Sequence, residues 1–137
     1  MPPGDDDSGA DGPAAAYVFR VTFRLDSAET GVWAEPDRFE TTVFRAADPP
    51  GEPGWRYFRD NLWHGECGDE AHLRRAAEDA LGVPVERVAF RELRTTRAYL
   101  EDLRDAVAAD LDAFAASTVD EALSKYLGSS IHVTDAV

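Results

Sequence analysis

The chain has 137 residues, one cysteine and a formal net charge of −13, from 27 acidic side chains against 14 basic ones. Its length and an apolar share of 44% suit one domain around one core. A lone cysteine excludes an internal disulfide, and the acidic excess opposes direct affinity for DNA phosphate or an anionic membrane surface. Lys125 is the only lysine, so nearly every cation is an arginine. Two origins account for such a balance: a partner-binding acidic protein, or a cytosolic protein working in molar salt. The second is the expectation, because a Debye length of about 3 Å at 1 M screens the self-repulsion of a large net charge.

In chain order, residues 1–15 (MPPGDDDSGADGPAA) lack apolar periodicity and read as a disordered acidic tail, leaving 16–137 as the domain. No basic stretch followed by an apolar run opens the chain, and no run of 18 apolar residues occurs, so a cytoplasmic location off the membrane is expected. From Tyr17 the residues alternate, with Tyr17, Phe19, Val21, Phe23 and Leu25 on one face and Val18, Arg20, Thr22 and Arg24 on the other, which predicts a half-buried strand. RFETTVFRA (38–46) predicts its antiparallel return, with a facing left open because Phe39 and Val43 claim one side and Phe44 the other. DPPGEPG (48–54) is a loop.

Trp55, Phe58 and Leu62 recur at helical spacing and predict a short helix over 55–63. Asp69 is placed to cap a helix ending at Leu81 before Gly82, with Leu73, Ala76, Ala77, Ala80 and Leu81 inward. VERVAFREL (85–93) predicts a strand. Thr95 or Thr96 then starts a helix carrying Leu100, Leu103, Val107, Leu111 and Phe114 on one stripe. Thr118 and Glu121 form a capping box for a last helix that Gly128 stops, and Ile131-His132-Val133 is positioned to add a sheet edge. The order β-β-α-α-β-α-α predicts an α+β fold, a small antiparallel or mixed sheet of about three strands with helices on one face.

Three groups of residues invite chemistry. His64, Cys67 and His72 have zinc-compatible residue types, but a structural zinc needs four ligands and paired spacing, and the fourth ligand is not evident. Glu66, Asp69 and Glu70 would also raise the cost of a Cys67 thiolate. The same segment reads as a polar loop whose Asp69 starts a helix. Arg20, Arg24, Arg45, Arg87 and Arg91 follow phenylalanines or lie on strands, so the alternation can gather them on the face opposite the core. There they would bind a polyanion or nucleic acid, or pair across strands with Glu40, Glu86 and Glu92. No phosphate loop, G-x-S-x-G, H-E-x-x-H or C-x-x-C pattern is present, so no catalytic residue and no cofactor are assigned and a non-enzymatic role is expected.

RDNLWHGECGDE, YVFRVTFRLD, FRAADPPGEPGW and EALSKYLGSSIHV together resemble the LWR-salt proteins, a family of small haloarchaeal proteins, over most of residues 16–133. The resemblance implies a saline cytosol and brings no catalytic residues with it. The family's name implies Leu-Trp-Arg where this chain has Leu62-Trp63-His64. Trp63 and Leu62, with neighbouring Trp55 and Tyr57, are therefore the expected contacts for an unknown protein partner, because an aromatic beside a loop commonly anchors a core or an interface.

Overall fold

The computed structural model describes residues 13–137. Much of the predicted tail lies outside the described residues, and the first strand already begins at Ala15, which is fully buried. Four strands form the main sheet: β1 (Ala15–Arg24), β2 (Arg38–Ala46), β5 (Val85–Thr95) and β6 (Ile131–Val133), in the order β2-β1-β5-β6. β1 runs antiparallel to both neighbours, and β6 joins β5 in parallel, so the sheet is mixed. A separate two-stranded hairpin joins β3 (Leu62–Trp63) to β4 (Glu66–Cys67). Four helices complete the fold: α1 (Tyr57–Asn61), α2 (Glu70–Leu81), α3 (Arg97–Ala108) and α4 (Val119–Leu127). The predicted α+β class is what forms.

β1 is the central antiparallel strand, and its alternation sets both faces of the sheet. Tyr17, Phe19, Val21 and Phe23 oppose Leu93, Phe90, Val88 and Val85 of β5, and these side chains meet the helices in one buried cluster. β5 keeps its apolar residues on that side despite their irregular spacing because its register against β1 shifts twice, after Val18 and after Thr22. The shifts insert Arg91 and Glu86 as extra residues, as β-bulges do. The facing of β2 is also settled: Phe39 and Val43 oppose Phe23 and Phe19 on the helix side, while Phe44 opposes Val18 on the outer side. No bulge is needed there.

Two predicted helices are shorter than their apolar stripes. The 55–63 segment is helical only over Tyr57–Asn61, and Leu62 is already extended at φ −124°, ψ 155°. Asn61 helps end the helix, since its Nδ2 donates to the Tyr57 carbonyl and its own carbonyl accepts from the Gly68 N–H. The stripe running to Phe114 breaks after Ala108, and Leu111–Phe114 forms a 3₁₀ turn. Phe114 is thereby fully buried, stacked on Phe58 at 5.4 Å between ring centres and beside Trp55 and Tyr126. The caps follow the residues expected of them. Asp69, Thr96 and Thr118 accept the N–H of the residue three positions on, an arrangement worth about 1 kcal/mol per cap. Glu121 returns a bond, from the Ser117 N–H at 2.8 Å. The hydroxyl of Tyr99 donates to the Asp48 carbonyl at 2.6 Å and ties the 48–54 loop to α3, and burial pushes this phenol up to about 12.

Candidate functional site

The stretch from Leu62 to His72 is a structural device. Its hairpin turns on His64 and Gly65, both at positive φ (52° and 79°), the pattern of a two-residue type I′ loop. That backbone aims two successive N–H groups at the end of α4: His64 donates to the Lys125 carbonyl at 2.8 Å and Gly65 to that of Tyr126 at 2.9 Å. The other two terminal carbonyls are also met, Ser124 by the Gly128 N–H at 3.0 Å and Leu127 by that of Ser130 at 3.2 Å. All four carbonyls that an α-helix leaves unsatisfied at its C-terminus thus have donors. Position 64 does this with its main chain, and its side chain is exposed.

Among the described residues, no three His, Cys, Asp or Glu side chains gather closely enough to hold a metal ion. His64, Cys67 and His72 are therefore not brought together as a ligand set. His72 lies in the first turn of α2, where its N–H is capped by Asp69. The half-buried Cys67 thiol donates to the Val88 carbonyl at 3.6 Å, and burial, with Glu70 and Glu66 nearby, pushes it up and away from the thiolate form.

The candidate contact aromatics also separate. Leu62 and Trp55 are buried at 2% and 6% exposure, Tyr57 is half-buried against Tyr17, and only Trp63, at 50%, presents a ring to solvent. Trp63 is steadied edge-on by His64 and Tyr126.

The arginines gather more completely. β1, β2 and β5 carry seven of the chain's 14 cations but only three of its 27 acids. Arg20, Arg24 and Arg87 stand at outward positions, where Arg38 and Arg94 join them; Arg91 is exposed at its bulge. Arg45 does not join this group, because it opposes Tyr17 on the helix side and lies over the Tyr57 ring at 4.6 Å. The outward positions of Arg38 and Arg94 depend on the registers of β2 and β5 against β1, which alternation within each strand left open.

Glu86 organises one end of this outer face. From its bulge it reaches Arg38 at 2.7 Å and Arg24 at 3.1 Å, two arginines directly opposite each other on neighbouring strands. Asp26 adds a two-bond fork to Arg24. Toward the other end Arg94 pairs with Glu92 at 3.0 Å and lies over the exposed Phe44 ring at 5.2 Å. Arg20 is held only loosely, 3.9 Å from Glu40, and Arg87 and Arg91 make no ion pair among the described residues.

The hydrogen bond from Arg38, ahead of that from Arg24, holds the Glu86 carboxyl below its ordinary value. A carboxyl depressed in the folded state stabilises above its unfolded pKa and loses that contribution as pH falls through the folded one. Wild-type protein is therefore expected to exceed Glu86→Gln in denaturant midpoint at neutral pH, with the gap closing below about pH 4.5. A gap independent of pH would refute this role for the carboxylate.

Sequence reasoning missed how the open edge of β5 is covered. Glu70 and Glu78 of α2 accept the N–H groups of Val88 at 3.0 Å and Val85 at 2.9 Å, donors that would otherwise invite another strand. Glutamates eight residues apart on one helix were the only available hint.

An α+β chain with a mixed sheet, a helix-capping hairpin and an arginine-bearing outer face is the class these features define. A model of the LWR-salt protein family matches residues 13–137, and the chain belongs to that family. No curated protein and no solved structure matches it. Among the described residues no helix is long and apolar enough to cross a membrane.

Proposed function

We propose that the protein is a non-enzymatic interaction module of a saline cytosol, and that it contacts a protein partner through the outer face of its sheet. The observation that supports this reading most is the segregation of charge: six of the 14 cations, Arg20, Arg24, Arg38, Arg87, Arg91 and Arg94, lie on or beside this face of a chain with a net charge of −13. Exposed Phe44 supplies an apolar centre, and loosely held Arg20 with Arg87 and Arg91, which have no ion pair among the described residues, supplies forks for carboxylates. The partner's chemistry follows: an apolar side chain flanked by acids. Attraction between exposed charges fades in molar salt, so stacked and forked arginine contacts around an apolar centre suit such a medium better than long-range steering toward nucleic acid.

Affinity capture in about 1 M salt tests the reading, with wild-type bait beside Arg20→Ser/Arg87→Ser/Arg91→Ser and Trp63→Ala variants. A stoichiometric protein retained by wild type and Trp63→Ala but lost by the arginine variant is the expected result. Loss only in Trp63→Ala moves the contact to the hairpin. Recovery of nucleic acid in place of protein favours the polyanion alternative on the same arginines.

A further inference from the structure

The helix side of the sheet carries a separate, incompletely filled space. α2 packs mainly against β5, and of its twelve residues only Leu73 is buried. Ala76 and Ala80, on the face predicted to point inward, remain exposed. Between them and the sheet lies a cleft of about 170 Å³, floored by Phe19, Val21, Val43 and Val88 and walled by the α2 alanines. Its lining is almost wholly apolar apart from Arg45 and Tyr57.

Those two groups give the cleft a chemical direction. Arg45 is on the helix side of the sheet, and its guanidinium carbon lies over the Tyr57 ring, 4.6 Å from the ring centre, without an ion pair among the described residues. With no side-chain hydrogen bond or ion pair among the described residues, its N–H fork is open to a carboxylate, which a guanidinium takes through two parallel hydrogen bonds. The Tyr57 side chain makes no hydrogen bond of its own among the described residues, and burial raises its phenol, so it remains a neutral O–H donor at neutral pH. An apolar cavity of about 150 Å³ accepts a benzene-sized molecule, which sets the scale for the occupant.

We infer that this cleft binds a small organic monocarboxylate, its apolar body of about one six-membered ring lying between the α2 alanines and the sheet and its carboxylate held by Arg45 and Tyr57. The site lies on the opposite side of the sheet from the surface proposed for the protein partner, so each can stand or fall without the other. The arginine selects the anion and the alanines limit the size. Leucine at position 77 or 80 would occupy the space that the ligand's body takes.

Calorimetric titration of the full chain in molar salt, with phenylacetate as the probe and 2-phenylethanol as its neutral counterpart, decides the matter. Wild type is expected to bind phenylacetate saturably and more tightly than the alcohol. Arg45→Gln is expected to weaken phenylacetate binding about tenfold or more while leaving the alcohol unchanged. Ala77→Leu and Ala80→Leu, each confirmed folded by circular dichroism, are expected to abolish binding of both probes. Absence of saturable phenylacetate binding by wild type at about 10 mM, equal affinity for acid and alcohol, or retention of full affinity in a folded leucine variant would each overturn the assignment.

Discussion

Gly128→Ala is expected to lower the unfolding free energy by about 2–4 kcal/mol, from a dihedral cost of about 1–3 kcal/mol and the weakening of two hairpin hydrogen bonds worth about 1 kcal/mol each. Gly128 stands at φ 64°, ψ −140°, a conformation that side-chain-bearing residues scarcely adopt. A Cβ there would lie 3.3 Å from the Cα and N of Gly65 and from the carbonyl carbon of His64, all backbone atoms with little room to move. Relieving that contact requires the turn to move from α4 by a few tenths of an ångström, which lengthens and weakens the bonds to Lys125 and Tyr126. Gly82→Ala is the control: Gly82 is also at positive φ, 73°, but a Cβ there meets nothing within 4 Å. Its cost should stay near 1–2 kcal/mol, about the ordinary penalty of the left-handed conformation. Denaturant midpoints for both variants measure the difference, and equal losses would mean that the close approach contributes nothing.

Phe114→Ala is expected to cost about 3–5 kcal/mol, the range for removing a buried aromatic and leaving a cavity. Phe114 is fully buried, nearly parallel to Phe58 at 9° between ring planes, with Trp55 and Tyr126 completing the cluster. It joins the 3₁₀ turn to α1 and α4, so its loss should loosen all three. Domains are typically stable by only 5–15 kcal/mol. The variant is therefore expected to unfold at markedly lower denaturant than Leu81→Ala, whose side chain is 40% exposed at the end of α2. Similar midpoints for the two would contradict the placement of the aromatic cluster at the centre of the core.

Much of this architecture is legible in the sequence because it rests on local rules. The alternation from Tyr17 onward marks β1, Asp69 and Gly82 bracket α2, and Thr118 and Gly128 bracket α4. Local rules fail where geometry depends on partners. Leu62-Trp63 and Glu66-Cys67 are each two residues long, too short to show a period, and Leu62 also fits the helical stripe of Trp55 and Phe58. The break after Ala108 is hidden because the 3₁₀ turn still brings Phe114 inward, as an unbroken helix would.

The arginines illustrate the same limit. Arg20 and Arg24 are read correctly as facing away from the core because their own strand alternates. Arg45 is placed on the helix side by its register with Tyr17, which nothing in RFETTVFRA reveals. His64, chemically conspicuous in the sequence, serves through a backbone N–H that any residue except proline carries. The Glu70 and Glu78 bonds to β5 join residues up to 18 positions apart and leave no periodic trace.

The most direct test of the outer sheet face as the contact surface is the dissociation constant of the captured partner for folded wild-type and Arg20→Ser/Arg87→Ser/Arg91→Ser proteins, in the same molar salt. The account predicts at least about tenfold weaker binding by the arginine variant. Equal affinities for the two proteins would contradict it.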